Sequence, residues 1–342
     1  MGSTIQDVAR VAGVSASTVS RAFTRPDLVS AKTRENILKV ASELHFSLSR
    51  SAAALKSGKS LRVALLMSGK MNLWFISSIL EGLNEVLHAR GYDVSVYQIS
   101  STEERKEFFD TLPLRRNADA VIVSSFAIAE DEVTLLNSIG IPIVGINADN
   151  SKELGLTAAT NIDDVHGSEL AARHLLQLGH KDIVYVSTHR AVSLHFSVQT
   201  RIQTFTEYCA RQGISVTNIP CEITEDGKYQ ISHVASEIMS LSHLPTAIAC
   251  QEDGIAIPLQ FQLERSGLNI PRDVSMIGFD DSFYAEDLGL TTIRQRPIEI
   301  GKKAAHMTLD LMDSKELEEN FAIETAQLII RSSTAAPRKD AS

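Results

Sequence analysis

Residues 4–21 read Thr4-Ile5-Gln6-Asp7-Val8-Ala9-Arg10-Val11-Ala12-Gly13-Val14-Ser15-Ala16-Ser17-Thr18-Val19-Ser20-Arg21. This order of residue types writes two short helices joined by a tight turn. Thr4 and Asp7 have the spacing of a capping box, in which the hydroxyl accepts from a free backbone N–H and the carboxylate reaches back. Ile5, Val8, Ala9 and Ala12 then recur at helical spacing. Gly13 ends the first helix, because it tolerates the left-handed conformation there. Ser15 caps a second helix with Val19 and Ala22 facing inward, and Pro26 forbids its extension. A third helix is expected from about Ser30 to Leu44, with Ile37, Leu38, Val40, Ala41 and Leu44 as its apolar side.

Moving outward, residues 47–60 (SLSRSAAALKSGKS) are mostly small, polar and basic, with Leu55 near their middle. They read as a linker, whose alanine-rich centre is too short for a stable helix alone in water. From Leu61 the pattern changes to apolar runs of strand length alternating with amphipathic helical stretches. Strands are expected at 61–67, 92–97, 120–124 and 141–147. A second cycle places strands at 183–187, 214–219, 246–250 and 274–279. Helices around 76–90, 130–139, 167–178, 200–212, 229–241 and 254–266 intervene. Such alternation predicts an α/β fold with parallel sheets covered by helices, and two cycles predict two similar lobes.

The formal net charge is −9, but it is unevenly distributed. Residues 1–60 hold nine Lys or Arg against four Asp or Glu, an excess of five positive charges, which leaves an excess of fourteen acids on the rest. A basic head on an acidic body is expected when only the head meets phosphate. Hydrophobic residues make up 44% and charged residues 22%, ordinary values for a globular chain. Apolar runs stay short of a membrane span, and the first ten residues lack the apolar stretch of a secretory leader. Cys209, Cys221 and Cys250 form no CxxC pair, which fits a reducing cytoplasm and argues against structural zinc. Gly58-Lys59-Ser60 looks like the end of a phosphate-binding loop, but Ala53 stands where its first Gly belongs. HExxH, G-x-S-x-G and G-x-G-x-x-G are absent. No enzymatic activity, catalytic residue, metal or cofactor is therefore expected.

Residues 4–21, with Val29-Ser30-Ala31-Lys32-Thr33-Arg34 at the third helix, resemble the helix-turn-helix of the lactose-repressor (LacI) family. The resemblance continues in family order through LLQLGHKDIVYVS (175–187), RSGLNIPRDVSMIGFDD (265–281), LTTIRQ (290–295) and IIRSSTAAP (329–337). It implies a bacterial transcription regulator with a helix-turn-helix head (1–46), a hinge helix (47–60) and an effector-binding and dimerisation domain (61–342). That last domain would have the two-lobed fold of type I periplasmic binding proteins, the first lobe spanning about 61–162 plus 293–330 and the second about 163–292. The implied partners are double-stranded DNA, a second copy of the chain and a small-molecule effector of the sugar class, with no membrane. The chain ends soon after Arg331-Ser332-Ser333-Thr334 without an apolar heptad tail, so a dimer is expected rather than a tetramer.

Carried over residue by residue, the resemblance puts Ala16, Ser17 and Arg21 at base edges in the major groove, where Arg21 suits a guanine and Ala16 a thymine methyl. Thr4, Thr18, Ser20, Ser30 and Thr33 fall at phosphate-contacting positions. Arg50, Ala52 and Leu55 fall where the hinge helix enters the minor groove. In the body, Trp74, Phe75, Asn147, His195, Ser197, Arg201, Glu252, Asp280 and Gln295 fall at effector positions. The chain departs from the family pattern in several places. Leu48 and Ser49 replace the usual Pro and Asn of the hinge. Asn147 stands where Asp is common, Glu252 where Asn is frequent, and Thr204 where Gly is usual.

Overall fold

The computed structural model describes residues 3–24, 26–46, 59–67, 70–99, 101–115, 117–125, 128–148, 152–153, 155–190, 199–224 and 228–338. The chain divides into two compact units, Met1–Leu61 and Arg62–Ser342.

The first unit is helical: α1 (Ile5–Ala12), α2 (Ala16–Thr24), a 3-10 turn (Pro26–Leu28) and α3 (Ala31–Glu43). The capping box forms, with Thr4 N donating to Asp7 Oδ2 at 3.0 Å and Asp7 N to Thr4 Oγ1 at 3.4 Å. Gly13 takes φ 69° and ends α1. Ser15 Oγ accepts from Thr18 N at 3.1 Å, and Ser30 Oγ from Thr33 N at 3.2 Å. Val8, Ala9, Val19, Ala22, Ile37, Val40 and Ala41 form the buried centre. Phe23 and Phe46 close it edge to face, ring centroids 6.1 Å apart. Leu38 faces outward rather than into this core. The hinge expectation lies almost wholly outside the described residues.

The second unit holds two six-stranded sheets. In the first lobe β1 (Arg62–Met67), β2 (Asp93–Gln98), β3 (Ala120–Ser124), β4 (Ile143–Ile146), β5 (Ala158–Ile162) and β11 (Phe321–Glu324) line up as β11-β5-β4-β3-β1-β2, all parallel. Their helices are α4 (Trp74–Ala89), α5 (Thr102–Arg115), α6 (Glu130–Ser138) and the late-returning α11 (Pro297–Met312). In the second lobe β6 (Ile183–Arg190), β7 (Val216–Ile223), β8 (Ala247–Cys250), β9 (Ser275–Asp280), β10 (Thr291–Arg294) and β12 (Gln327–Ile329) order as β12-β10-β9-β8-β6-β7, with only β12 antiparallel. Here the helices are α7 (Asp164–Leu178), α8 (Gln199–Arg211), α9 (Ile231–Met239) and α10 (Asp253–Arg265). Strands such as Ala120–Ser124, buried along their whole length, sit between helices on both faces. No helix among the described residues is long and apolar enough to cross a membrane.

The chain passes between lobes three times. The return to the first lobe comes after Arg294, not at 293, because β10 pairs with β9. A further crossing, absent from the sequence reading, brings Gln327–Ile329 back onto β10. The segment beyond is fastened to the second lobe: Ser333 Oγ donates to Met276 O at 2.6 Å and accepts from Thr291 N at 2.8 Å. The first lobe is therefore closed by 297–324, not by everything up to 330.

Two helices of the first lobe, α4 and α11, cross through glycines. A Cβ on Gly82 would land on the Ile298 carbonyl, and one on Gly301 on the Ile79 carbonyl. Gly301→Ala gains helix propensity of about 1 kcal/mol, but the clash is with backbone that cannot swing aside. We expect a net loss of about 1–3 kcal/mol, read as a lowered urea midpoint with unchanged slope; a raised midpoint would refute this packing.

In the second lobe Asp253, fully buried at the start of α10, accepts from Thr292 Oγ1 at 2.8 Å and from Ser282 N at 2.8 Å. Burial pushes its carboxyl up to about 7. The native state then keeps a proton that the unfolded chain releases near the ordinary carboxylate value, so this contribution to stability is full at low pH and is lost as pH rises toward 7. Asp253→Asn is expected to flatten the fall in unfolding free energy between pH 4 and 7, seen in urea titrations at stepped pH. Parallel profiles for the two proteins would contradict it.

Candidate DNA-reading face and effector cleft

In the head, α2 buries Val19 and Ala22 and turns Ser17 and Arg21 to solvent. Arg21 has no partner among the described residues, whereas Arg10 is paired with Asp7 at 3.1 Å. Ala16 is half-buried against the core of the head, so only part of its methyl surface is open. The hydroxyls form short chains at the helix starts. Ser15 Oγ lies 2.7 Å from Ser17 Oγ and 2.8 Å from Thr18 Oγ1, Ser30 Oγ lies 2.8 Å from Thr33 Oγ1, and Thr4 Oγ1 donates to Asp7 at 2.7 Å. Helix N-termini of this kind favour anions, because their free N–H groups and dipole point outward. Ser20 lies on α2, half-buried. Arg50, Ala52 and Leu55 are outside the described residues.

In the body, Asn147, Glu252, Asp280 and Gln295 lie at or just beyond the carboxyl ends of strands, where open α/β sheets bind ligands, and Trp74, Phe75 and Arg201 lie in the first turns of the helices that follow β1 and β6. The second lobe is organised around Arg201 on α8, whose side chain is 4% exposed. Its Nε donates to Asp164 at 2.8 Å, and one Nη donates to Gln251 O at 3.0 Å and to Asp280 at 3.4 Å. Its guanidinium carbon sits 3.8 Å above the Phe279 ring centre. Burial drives Asp164 and Asp280 toward their neutral forms, and Arg201 pulls both back toward ionisation. Asp280 also accepts from Gln295 Nε2 at 2.5 Å, while Gln295 Oε1 is buried without a partner. Asp280 has φ 126° and Asp281 φ 57°, a sharp exit from β9. Asp281 is held by Arg294 at 2.5 Å and Arg331 at 2.7 Å.

Glu252 stands at the cap of α10 and accepts from Tyr229 Oη at 2.9 Å. In the first lobe Asn147 follows β4 with φ 46°, and its Oδ1 accepts from Ile162 N at 2.8 Å, tying β4 to β5. Its Nδ2 has no partner among the described residues. Trp74 and Phe75 open α4 just after β1. Trp74 meets Phe283 of the second lobe edge to face, centroids 6.3 Å apart, so one aromatic contact spans the lobes. His195 and Ser197 lie outside the described residues.

Gln251 and Tyr229 were not expected at the site, and Asp164 was expected only as one of the adjacent acids Asp163-Asp164. The two acids divide their roles: Asp163 caps α7 by accepting from His166 N at 2.8 Å, and Asp164 holds Arg201. Nothing local marks Tyr229, which reaches Glu252 across 23 positions of chain.

Residues 4–48 match the family described as bacterial regulatory proteins, lacI family, and residues 172–334 match the periplasmic binding protein-like domain. The chain is 28% identical over 338 residues to the HTH-type transcriptional repressor PurR of Vibrio parahaemolyticus, covering 96% of this chain and 97% of that one. The PurR repressor of Haemophilus influenzae is also 28% identical, over 344 residues and 98% of its length. The Lac repressor dimer bound to operator and the anti-inducer ONPF shares the fold at TM-score 0.81, with 22% identity over 98% of this chain and 100% of that one. A LacI family regulator from Enterococcus faecium with bound ribose superposes at TM-score 0.69, with 26% identity over 80% of this chain and 99% of that one. The chain thus joins a lacI-type helix-turn-helix head to a periplasmic binding protein-like domain, the two-domain arrangement of LacI family regulators.

Proposed function

We propose that the chain is a sequence-specific DNA-binding repressor whose grip on its operator is set by a sugar-class effector bound between the two lobes. The observation that carries this reading is the solvent-facing Arg21 on α2, unpaired among the described residues, in a head with three hydroxyl-capped helix starts. An arginine on such a helix reads a guanine edge bidentately, while the hydroxyls and N-termini fix register on the phosphates. Ser17 and the open part of Ala16 complete the reading face. Arg50, Ala52 and Leu55 are assigned to the minor groove. Repression is the sign carried by the 28%-identical relatives, and a sugar effector matches the neighbour solved with ribose.

The protein acts as a homodimer on a pseudo-palindromic site, since two-fold symmetry in the protein demands it in the DNA. Phe261 on α10 and Tyr284 after β9 are 49% and 66% exposed, apolar surface that a second copy would cover. Effector binding alters the angle between lobes and hence the spacing of the hinges, with a coupling of about 1–3 kcal/mol. The setting is the cytoplasm, and no catalytic step is part of the role.

Arg21→Ala is expected to lower affinity for the cognate duplex by about 1–3 kcal/mol while leaving affinity for a scrambled duplex nearly unchanged. Fluorescence anisotropy on both duplexes measures this; equal losses on the two would refute base reading by Arg21. Asp280→Ala is expected to keep operator binding and to abolish release by effector, followed in the same assay. Full release with the variant would contradict the assignment of the cleft.

A further inference from the structure

On the reading that the cleft is the effector site, its unbalanced polar groups name the ligand class. Arg201 brings one positive charge, already shared between Asp164 and Asp280. Asp280 Oδ1 accepts from both Arg201 and Gln295, and Asp280 Oδ2 has no donor among the described residues. Glu252 Oε1 accepts from Tyr229, and its Oε2 likewise has no donor there. Gln295 is 6% exposed, and its Oε1 is buried with nothing to accept from. Among the described residues Glu252 Oε2 and Asp280 Oδ2, at the ends of β8 and β9, thus lack donors, as does the enclosed Gln295 Oε1 at the end of β10, while Arg201 Nη2 lacks an acceptor there. Glu252 lies close enough to Asp280 for its charge to push that carboxyl further up.

An amide in place of Glu252 would read hydroxyls equally well and cost nothing in repulsion. A carboxylate there adds a charge and removes a donor. Its orientation is fixed by Tyr229, so the free oxygen is presented rather than solvated at random. A phosphate or carboxylate ligand would meet the Glu252 and Asp280 carboxyl groups side by side, of which only Asp280 is paired with a cation, an arrangement that rejects a further anion. The aromatic surface points the same way. Ser282 N is bonded to Asp253, the neighbour of Glu252, at 2.8 Å, and the next residue, Phe283, meets Trp74 edge to face. Aromatic faces attract cations.

We propose that the cleft selects a polyhydroxylated ligand carrying a protonated amino group, an amino sugar by chemical class. Glu252 receives the ammonium, Asp280 accepts from a neighbouring hydroxyl with Gln295 holding its other oxygen, and Arg201 Nη2 donates to a ring or hydroxyl oxygen. Tyr229 is the positioning residue for Glu252.

Trp74 is the only tryptophan of the chain, so its emission reports the cleft directly. The full chain is titrated with D-glucosamine and D-galactosamine, with D-glucose and D-galactose, and with the phosphate esters of the last two. At least one amino sugar is expected to bind about tenfold or more tightly than its parent, a difference of about 1.4 kcal/mol, while the esters stay silent. Glu252→Gln, nearly isosteric, removes that preference, so that the amino sugar and its parent bind alike. Tyr229→Phe weakens the preference without abolishing it. Silence of both amino sugars, a parent or ester that binds as tightly, or a preference that survives Glu252→Gln overturns amine selection. A non-aminated ligand whose binding is lost in Asp280→Ala overturns amine selection alone and keeps the cleft as effector site. A ligand indifferent to Asp280→Ala overturns both.

Discussion

The second lobe depends on one buried cation. Arg201 is shut away from water among Asp164, Asp280, the Gln251 carbonyl and the Phe279 ring. A guanidinium cannot shed its proton to escape burial, so its surroundings have to supply the neutralising acceptors. Those acceptors come from the start of α7, the end of β8 and the end of β9, three elements far apart in sequence. Satisfying one side chain therefore fixes three chain segments at the mouth of the cleft. The sharp exit from β9 follows, since Asp280 must turn one oxygen toward Arg201 while Asp281 turns away to Arg294 and Arg331. In the proposed role as effector contacts, groups held this way would lose little freedom when a ligand arrives, which is the physical content of a pre-organised site.

The head works by a different economy. Its core is seven small or medium apolar side chains, too few to tolerate loss of local order. Caps carry much of the specification: Thr4 with Asp7, Ser15 with Thr18, Ser30 with Thr33. The same hydroxyls and helix starts that define the helices are those proposed to meet phosphate, so folding and DNA positioning draw on one set of groups. Charge is divided to match, with the basic excess in the first 60 residues and the acidic excess behind it.

Much of this was legible in the sequence, for identifiable reasons. The capping box, Gly13 and Pro26 act through neighbours a few residues away, so α1 and α2 could be read directly. Strands such as Ala120–Ser124 are apolar throughout because both faces are covered. Ala158–Ile162 was missed: its alanines, Thr160 and Asn161 carry little of the branched apolar bulk that marks a strand, yet it is mostly buried. β11 and β12 were missed because each is short and made a strand by its partner, not by its own composition. Arg201, Asp280 and Gln295 could be named only through the family resemblance, and the structure brings those three together. Tyr229 could not be named at all, and Asp164 only as one of two adjacent acids, because their roles depend on contacts across 23 and 37 positions.

The central claim is that this chain recognises a specific two-fold DNA site. The most direct measurement is selection of bound duplexes from a randomised pool by the purified full chain at near-physiological salt, followed by sequencing. The account predicts enrichment of one pseudo-palindrome with two half-sites. Recovery of an unenriched pool, or binding that falls with salt equally for every duplex, would contradict it.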